Sequence, residues 1–202
     1  MAERYPRLVE YLASLPAGLA SYPDCQAKTS LSLTMVEGLP EPRPALEKES
    51  LPEPLARFLR RPPTSMWSSE VESRALALSI ADHYRMSNEA YLAWIKQQNR
   101  SYFGSLMYRA VMAFASPAAL VAKAAARWAA VHRGSSLAAK VLGPGDAQAT
   151  LTFPPFLFAG LALLQVKAVL EAGAEHTNAR HPTVELEHVS PTSGVYRVRW
   201  ET

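Results

Sequence analysis

The chain has 202 residues, of which 49% are apolar and 19% charged, and its formal net charge is +3. This length and composition indicate one domain, or a domain with an extension, that can build a sizeable apolar core. So small a charge gives no indication of a nucleic-acid binder, and a single cysteine, Cys25, excludes a disulfide within the chain and favours a reducing compartment. Because no apolar run is long enough to cross a bilayer and the first residues lack a signal-peptide pattern, we expect a soluble, cytoplasmic protein.

Residues 1–66 are predicted to hold a helix, a strand and a proline-rich connector. Glu3–Ser14 carries apolar residues at helical spacing, whereas Thr29–Met35 alternates polar and apolar residues as a strand does. Seven prolines from Leu39 to Pro63 are typical of a stiff, irregular connector. Within it, Leu55–Arg61 is predicted to form a helical turn or two.

Residues 67–202 are predicted to form a second region that folds as one compact unit, and this region begins with helices. Ser69–Glu72 has the Ser-x-x-Glu order of a capping box, so a helix should start there. Ser87 or Asn88 should cap the next helix, and Ser105–Ala115 has the apolar spacing of a third.

A further helix is predicted to begin at Ser116–Pro117, because serine caps helices and proline suits their first turn. Gly134 should end it. His132 and Arg133 would then lie in its last turn, where cations interact favourably with the helix dipole. The simpler interpretation of these two residues is this dipole role, and the alternative is an anion site at the helix end.

Two hairpins are predicted in the last third of the chain. The first pairs Leu137–Val141 with Ala147–Phe153, and the second pairs Val184–Val189 with Val195–Trp200. Between the hairpins, Phe156–Ala172 is apolar almost all round and is predicted to be a long buried helix.

Together these elements predict an α+β fold. N-terminal helices would pack on a roughly four-stranded antiparallel sheet, and the long buried helix would lie between its two hairpins. Trp128, on the helix that begins at Ser116–Pro117, and Trp200, on the last strand, are expected in the core.

Four short stretches carry a resemblance to a known family. They are RWAAVHRGS at Arg127–Ser135, LTFPP at Leu151–Pro155, VLEAGA at Val169–Ala174 and YRVRW at Tyr196–Trp200. On these stretches, the segment Tyr108–Trp200 resembles the C-terminal half of an uncharacterised paralogous family abundant in myxobacteria. In element order that family is similar to the superfamily of haem-NO-binding, 4-vinyl-reductase and TRAPP proteins.

The resemblance implies a domain that binds a small apolar ligand or mediates assembly, as members of the superfamily do. It does not extend to haem. A haem-NO-binding domain needs an axial histidine and a tyrosine-serine-arginine cluster, but Tyr196–Arg199 lacks the serine. His83 and His132 lie on predicted helices, and no such cluster is near them in the sequence.

The sequence offers no catalytic or metal-binding constellation. His176, His181 and His188 are not at the spacing of a metal site. Asp82 and His83 are adjacent, so their side chains would diverge on a helix, and the lone cysteine has no neighbouring base. We therefore predict that the protein is not an enzyme and that it holds no metal and no other cofactor.

A compact basic cluster, Arg57, Arg60 and Arg61, is a candidate contact for an anion or an acidic partner. The simpler interpretation is a solvated helix face that precedes two prolines. Because the cluster has no interleaved aromatic residues and no helix-turn-helix pattern, we expect no specific nucleic-acid partner.

Aromatic residues on the predicted helices give the main candidate site. Most of them should be core residues, but they are numerous for the helices available, and tyrosine and tryptophan carry polar groups that can line a pocket. The candidate lining residues are Tyr84, Tyr91, Trp94, Tyr108 and Phe114. Two functions follow: a non-enzymatic sensory or binding module that holds a small apolar ligand between helices and sheet, or an interaction or scaffold protein without ligand, such as a homodimer.

Overall fold

The α+β fold predicted from the sequence is confirmed by the structure, a computed structural model that describes residues 3–39, 51–103 and 117–201. The helix predicted at Ser105–Ala115 lies outside these residues. None of the described helices is long and apolar enough to cross a membrane.

The described residues form seven α-helices and seven strands. The helices are α1 Pro6–Ser14, α2 Thr29–Glu37, α3 Glu53–Ala56, α4 Glu70–His83, α5 Asn88–Phe103, α6 Pro117–Val131 and α7 Leu161–Glu175. The strands are β1 Gln26–Lys28, β2 Trp67–Ser69, β3 His132–Arg133, β4 Ser136–Gly143, β5 Asp146–Thr152, β6 Arg180–Ser190 and β7 Ser193–Glu201. Short 3-10 turns lie at Gly18–Ala20 and Arg57–Arg60.

The chain divides into two compact units. The first unit comprises Met1–Tyr91 and His132–Gly134, and the second comprises Leu92–Val131 and Ser135–Thr202. The first unit thus continues past residue 66, where the sequence placed a boundary, and takes in α4. That residues 67–202 fold as one unit stays a prediction.

A three-stranded antiparallel sheet, in the order β2-β1-β3, lies in the first unit. Gln26 of β1 pairs with Ser69 of β2 on one side and with Arg133 of β3 on the other. Because side chains alternate across a strand, the sheet has two faces. The buried face carries Ala27, Ser68 and His132. The opposite face carries Gln26, Lys28, Trp67 and Arg133.

The stretch Thr29–Met35, which was predicted as a strand, lies in helix α2, so that prediction is wrong. The buried residues of α2 recur three or four positions apart, as expected for one face of a helix: Thr29, Ser32, Leu33, Met35 and Val36. Two of them are polar, and Ser32 Oγ lies 2.8 Å from Ser73 Oγ on α4. The alternation indicates a strand only if each serine faces solvent. A buried hydroxyl that is hydrogen-bonded to another helix cannot be distinguished from an exposed one in the sequence.

Helix α4 is buried along most of its length, and α1 packs against it. Ser69 caps α4 as predicted, since its hydroxyl accepts a hydrogen bond from the Glu72 N–H at 3.4 Å. Near the other end of α4, the Asp82 carboxylate accepts hydrogen bonds from the N–H groups of Arg7 at 2.9 Å and Leu8 at 3.1 Å. Asp82 therefore supplies the cap that α1 lacks in its own sequence.

The second unit contains a four-stranded antiparallel sheet in the order β4-β5-β7-β6. Both predicted hairpins are confirmed, β4 with β5 and β6 with β7, and α7 lies between them in the chain. Leu137 is paired with Leu151, and Ala149 is paired with Tyr196. These four side chains are buried, so one side of the sheet forms an apolar core.

Helix α7 begins at Leu161 and ends at Glu175, later at both ends than the predicted Phe156–Ala172. Phe156 has a φ of 63° and Gly160 a φ of 50°. A right-handed helix cannot pass through left-handed residues, so the segment after the two prolines forms a loop before the helix starts.

Helix α6 ends at Val131, and His132–Arg133 is strand β3 instead of its last turn. The anion site considered at this helix end is therefore wrong, because His132 is buried and pairs with Ala27 of β1.

Two predicted core residues, Trp128 and Trp200, are only half-buried. The Trp128 indole N–H donates a hydrogen bond to Ser135 Oγ at 3.0 Å. A tryptophan deep in the core could keep this bond only if the serine hydroxyl were buried with it.

Candidate functional site

The aromatic residues predicted to form one site are distributed between the two units. Tyr84 and Tyr91 belong to the first unit and Trp94 to the second. Tyr91 is 1% exposed, and burial raises the pKa of its hydroxyl, whereas Tyr84 and Trp94 are half-buried. Tyr108 and Phe114 lie outside the described residues. The aromatic site stays a prediction.

Two of the three clustered arginines are engaged with carboxylates of the first unit. Arg57 forms an ion pair with Glu72, and Arg60 forms one with Glu53 at 3.0 Å. Arg61, at the end of the 3-10 turn, is exposed and has a φ of 53°. A contact between this cluster and an anion or acidic partner stays a prediction.

A buried ionic network that the sequence did not predict joins α4 to β3. The Glu70 carboxylate is fully buried and contacts Arg74 at 2.7 Å through one oxygen and His132 Nδ1 at 2.7 Å through the other. Burial alone would raise the pKa of Glu70, but His132 and Arg74 more than offset it and lower this pKa to about 2. The network therefore links β3 to α4 through a buried hydrogen bond between Glu70 and His132.

Cys25 and Gly134 form a second close contact at this point. The Cys25 thiol lies 3.4 Å from the Gly134 carbonyl oxygen. Burial, Glu70 and Asp24 raise the pKa of Cys25 to about 11, so the thiol is protonated at neutral pH. Gly134 has a φ of 74°, and a Cβ added there would lie 2.5 Å from Cys25 Sγ. The thiol thus fills space against the backbone of Gly134.

The opposite face of the small sheet carries two cations over one indole ring. Lys28 Nζ lies 4.3 Å and the Arg133 guanidinium 3.8 Å from the centre of the Trp67 ring. Lys28 also donates to the carbonyl oxygen of Ser65 at 2.9 Å, and Arg133 donates to Gln26 Oε1 at 3.3 Å. Cation–π contacts of this kind hold the strands together at the surface.

An apolar cavity of about 310 Å³, open to solvent on one side, lies in the second unit, where the loop before α7 meets the end of β6. It is lined by Phe156, Phe158, Ala159, Gly160, Val189, Ser190 and Pro191. Phe156 and Val189 are 43% and 53% exposed, so both present apolar surface at the cavity. The loop is held to the β6–β7 turn by the Phe156 N–H, which donates to the Pro191 carbonyl oxygen at 2.7 Å. The sequence did not predict this cavity.

Most of the chain matches the sequence model of one protein family. The sequence model of a protein of unknown function, DUF2378, matches residues 48–201. The chain belongs to this family. The expectation of an uncharacterised family is thus confirmed, over a longer stretch than Tyr108–Trp200, whereas the myxobacterial origin and paralogy of DUF2378 stay predictions. No curated protein matches the chain.

Solved structures of H-NOX domains are similar to this DUF2378 chain. An oxygen-binding H-NOX domain related to soluble guanylate cyclases, in its oxygen complex, has a TM-score of 0.61 at 10% identity, covering 87% of this chain and 95% of that one. An H-NOX structure used to probe the function of haem distortion has a TM-score of 0.60 at 11% identity with the same coverage. For a mutant H-NOX domain of T. Tengcongensis the TM-score is 0.53 at 11% identity, with 87% and 98% covered. At identities of 10% and 11%, this similarity shows a shared fold only.

Haem iron needs an axial ligand such as an imidazole that faces an apolar pocket. None of the five histidines lines the cavity of the second unit. The side chain of His181 is 82% exposed, and the cavity therefore offers haem iron no axial ligand. Across residues 3–39, 51–103 and 117–201, no three histidine, cysteine or carboxylate side chains are grouped to hold a metal ion.

The groups that would anchor haem propionates are also engaged elsewhere. The Tyr196 hydroxyl donates to the Leu163 carbonyl oxygen at 3.1 Å. Arg197 is paired with Asp146, and Arg199 is paired with Glu185 at 2.7 Å. The tyrosine and arginines of the last strand therefore serve the sheet and α7 instead of a shared anionic ligand.

Proposed function

We propose that this DUF2378 chain is a non-enzymatic module that binds a small apolar ligand other than haem. The apolar cavity of the second unit carries this proposal. Its volume of about 310 Å³ is within the range of about 300–1,000 Å³ that is usual for small-molecule sites. A ligand there would cover Phe156 and Val189, two large apolar side chains that the chain itself leaves exposed.

The likeness to H-NOX domains supports a binding function without specifying the ligand. One of those proteins is described as oxygen-binding, and another was used to study haem distortion. A shared fold hosts different sites, so the ligand must be argued from the side chains of this chain. Because the cavity lining contains no histidine, and Tyr196, Arg197 and Arg199 are bonded within the second unit, we propose a ligand that needs neither an axial histidine nor anchors for propionates.

Chemistry at the buried groups supports a binding role over an enzymatic one. Cys25 is protonated at neutral pH because its pKa is raised to about 11. His132 and Glu70 are buried and bonded to each other, so neither is available as a general base to a substrate. A cytoplasmic location, expected from the single cysteine, stays a prediction.

The experiment that tests the proposal is native mass spectrometry of the full chain as it is purified. We expect a bound species of small mass that is released on denaturation, and saturable binding when an apolar library is added to stripped protein. Absorption spectra of protein mixed with haemin should show no stoichiometric complex. Protein that is unliganded in every preparation and binds no apolar compound saturably would refute the proposal.

Homodimer formation is a second candidate, which the outer strand of the larger sheet favours. Strand β4 is at the edge of the sheet, and Val141 and Leu142 on it are 48% and 42% exposed. Exposed apolar residues on an unpaired edge are a template for another strand. Light scattering after size-exclusion chromatography should then report twice the chain mass, and Leu142→Lys should return it to one chain. A wild-type monomer at all concentrations would exclude this candidate.

A further inference from the structure

The lining of the second-unit cavity carries no ionisable side chain. Six of its seven residues are apolar or glycine, and the seventh is Ser190. The Ser190 hydroxyl is already bonded, since its oxygen lies 2.8 Å from Ser193 Oγ and accepts from the Thr192 N–H at 3.2 Å. A charged ligand would lose its hydration here without gaining a counter-ion. The lining therefore favours an uncharged ligand.

Aromatic rings form one side of the cavity and continue behind it. Phe158 is 1% exposed, and its ring centre lies 5.2 Å from that of Phe153 and 6.0 Å from that of Trp128. Phe156 adds a ring that is 43% exposed. Aromatic side chains prefer edge-to-face and offset contacts with other rings at such distances. A flat aromatic ligand would extend this arrangement.

The cavity volume sets the scale of the part of a ligand that the protein can cover. An apolar cavity of about 150 Å³ is large enough to bind benzene. A volume of about 310 Å³ is roughly twice that, so the space suits a molecule of two or three fused or linked rings.

We infer that the ligand of this site is an uncharged aromatic molecule of two or three rings, bound between the Phe156–Gly160 loop and the end of β6. This inference rests on the proposed function and adds the chemical class of the ligand and the position of its site. Val189, which is 53% exposed at the cavity, is the residue through which the preference for uncharged ligands can be altered.

The test uses two fluorescent probes with the same ring system. N-phenylnaphthylamine is uncharged, and anilinonaphthalene sulfonate differs from it by one sulfonate group. Titrations of the full chain should show that the uncharged probe binds about tenfold or more tightly than the sulfonate. Naphthalene, added as a competitor, should displace it.

Variants at Val189 locate the site. Val189→Asp should weaken the uncharged probe by about tenfold, because it brings a carboxylate to the apolar lining. Val189→Lys should strengthen the sulfonate by about fivefold through the added cation. Thr183 is the matched control: it is a β-branched residue of the same strand as Val189, exposed and not among the cavity residues, and Thr183→Asp should change neither affinity by more than about twofold. Thermal melts followed by circular dichroism verify that each variant is folded.

Each alternative outcome decides a different claim. If the sulfonate binds as tightly as the uncharged probe to wild-type protein, the ligand class is wrong and the binding function stands. If Val189→Asp binds the uncharged probe like wild type, or Thr183→Asp loses it equally, the position of the site is wrong. If neither probe binds saturably and native mass spectrometry finds no ligand, the proposed function fails together with the inference.

Discussion

Replacing Gly134 with alanine should destabilise the first unit more than an ordinary glycine substitution would. Gly134 has a φ of 74°, a conformation that costs an L-residue roughly 1–2 kcal/mol. The added Cβ would also lie 2.5 Å from Cys25 Sγ, 2.8 Å from Cys25 Cα and 2.9 Å from the Asp24 carbonyl oxygen. Two of these atoms belong to the backbone and cannot rotate away.

The magnitude follows from adding the two effects. Overpacking of a close contact costs about 1–3 kcal/mol, so with the backbone term Gly134→Ala should lose roughly 2–5 kcal/mol of unfolding free energy. Gly18 provides the matched control, because its φ of 53° is also left-handed while an added Cβ would meet nothing within 4 Å. Gly18→Ala should therefore lose only the backbone term, roughly 1–2 kcal/mol.

Urea unfolding followed by circular dichroism measures both variants against wild type. Replacing Cys25 with alanine in the Gly134→Ala background should recover only part of the loss, since the Cys25 Cα and Asp24 oxygen contacts persist. Equal losses for Gly134→Ala and Gly18→Ala would refute the steric argument and would mean that β3 does not lie against Cys25 as described.

Three further predictions concern the polar contacts of the first unit. The pKa of Glu70 falls from 4.5 to about 2 on folding. Its ionised carboxylate should therefore contribute on the order of 3 kcal/mol to the unfolding free energy above pH 4.5, and this contribution should be lost as pH falls to 2. Urea midpoints should show this pH dependence in wild type and not in Glu70→Gln, and parallel curves for the two proteins would contradict it. Asp82→Ala should cost about 2–4 kcal/mol because the N–H groups that start α1 lose their acceptor; a loss below about 0.5 kcal/mol, the range of neutral surface changes, would show that the cap is dispensable. Ser32→Ala and Ser73→Ala should each cost about 1–3 kcal/mol by leaving a buried hydroxyl unpaired, while the double variant loses less than their sum; strict additivity would disprove the contact.

The sheet of the second unit was predictable because its signals are local. Each hairpin consists of alternating apolar and polar residues on both sides of a short turn, and the two proline residues after Phe153 mark the end of β5. The positions of these strands can be predicted without information from distant parts of the chain. The same holds for the start of α4, where Ser69 and Glu72 are three residues apart.

The first unit was harder because its decisive contacts join distant positions. Strand β3 has two residues and is defined only by its pairing with β1, so no periodicity could reveal it. Glu70 looked like a residue of a capping sequence, and its role as a buried anion depends on His132 from a later part of the chain. The cavity depends on the left-handed φ of Phe156, which a helical apolar pattern conceals.

Strand β3 also has a consequence for how the protein is made. The first unit is built from Met1–Tyr91 and from His132–Gly134, and the chain between them belongs to the second unit. A ribosome that has released residues 1–91 has therefore delivered a three-stranded sheet with one edge strand missing and a Glu70 carboxylate without its histidine. Such a fragment exposes the open side of β1 and buries a charge that is only partly compensated. The first unit can complete its structure only after synthesis has passed residue 134, so the N-terminal part of this protein should not be stable as a separate fragment.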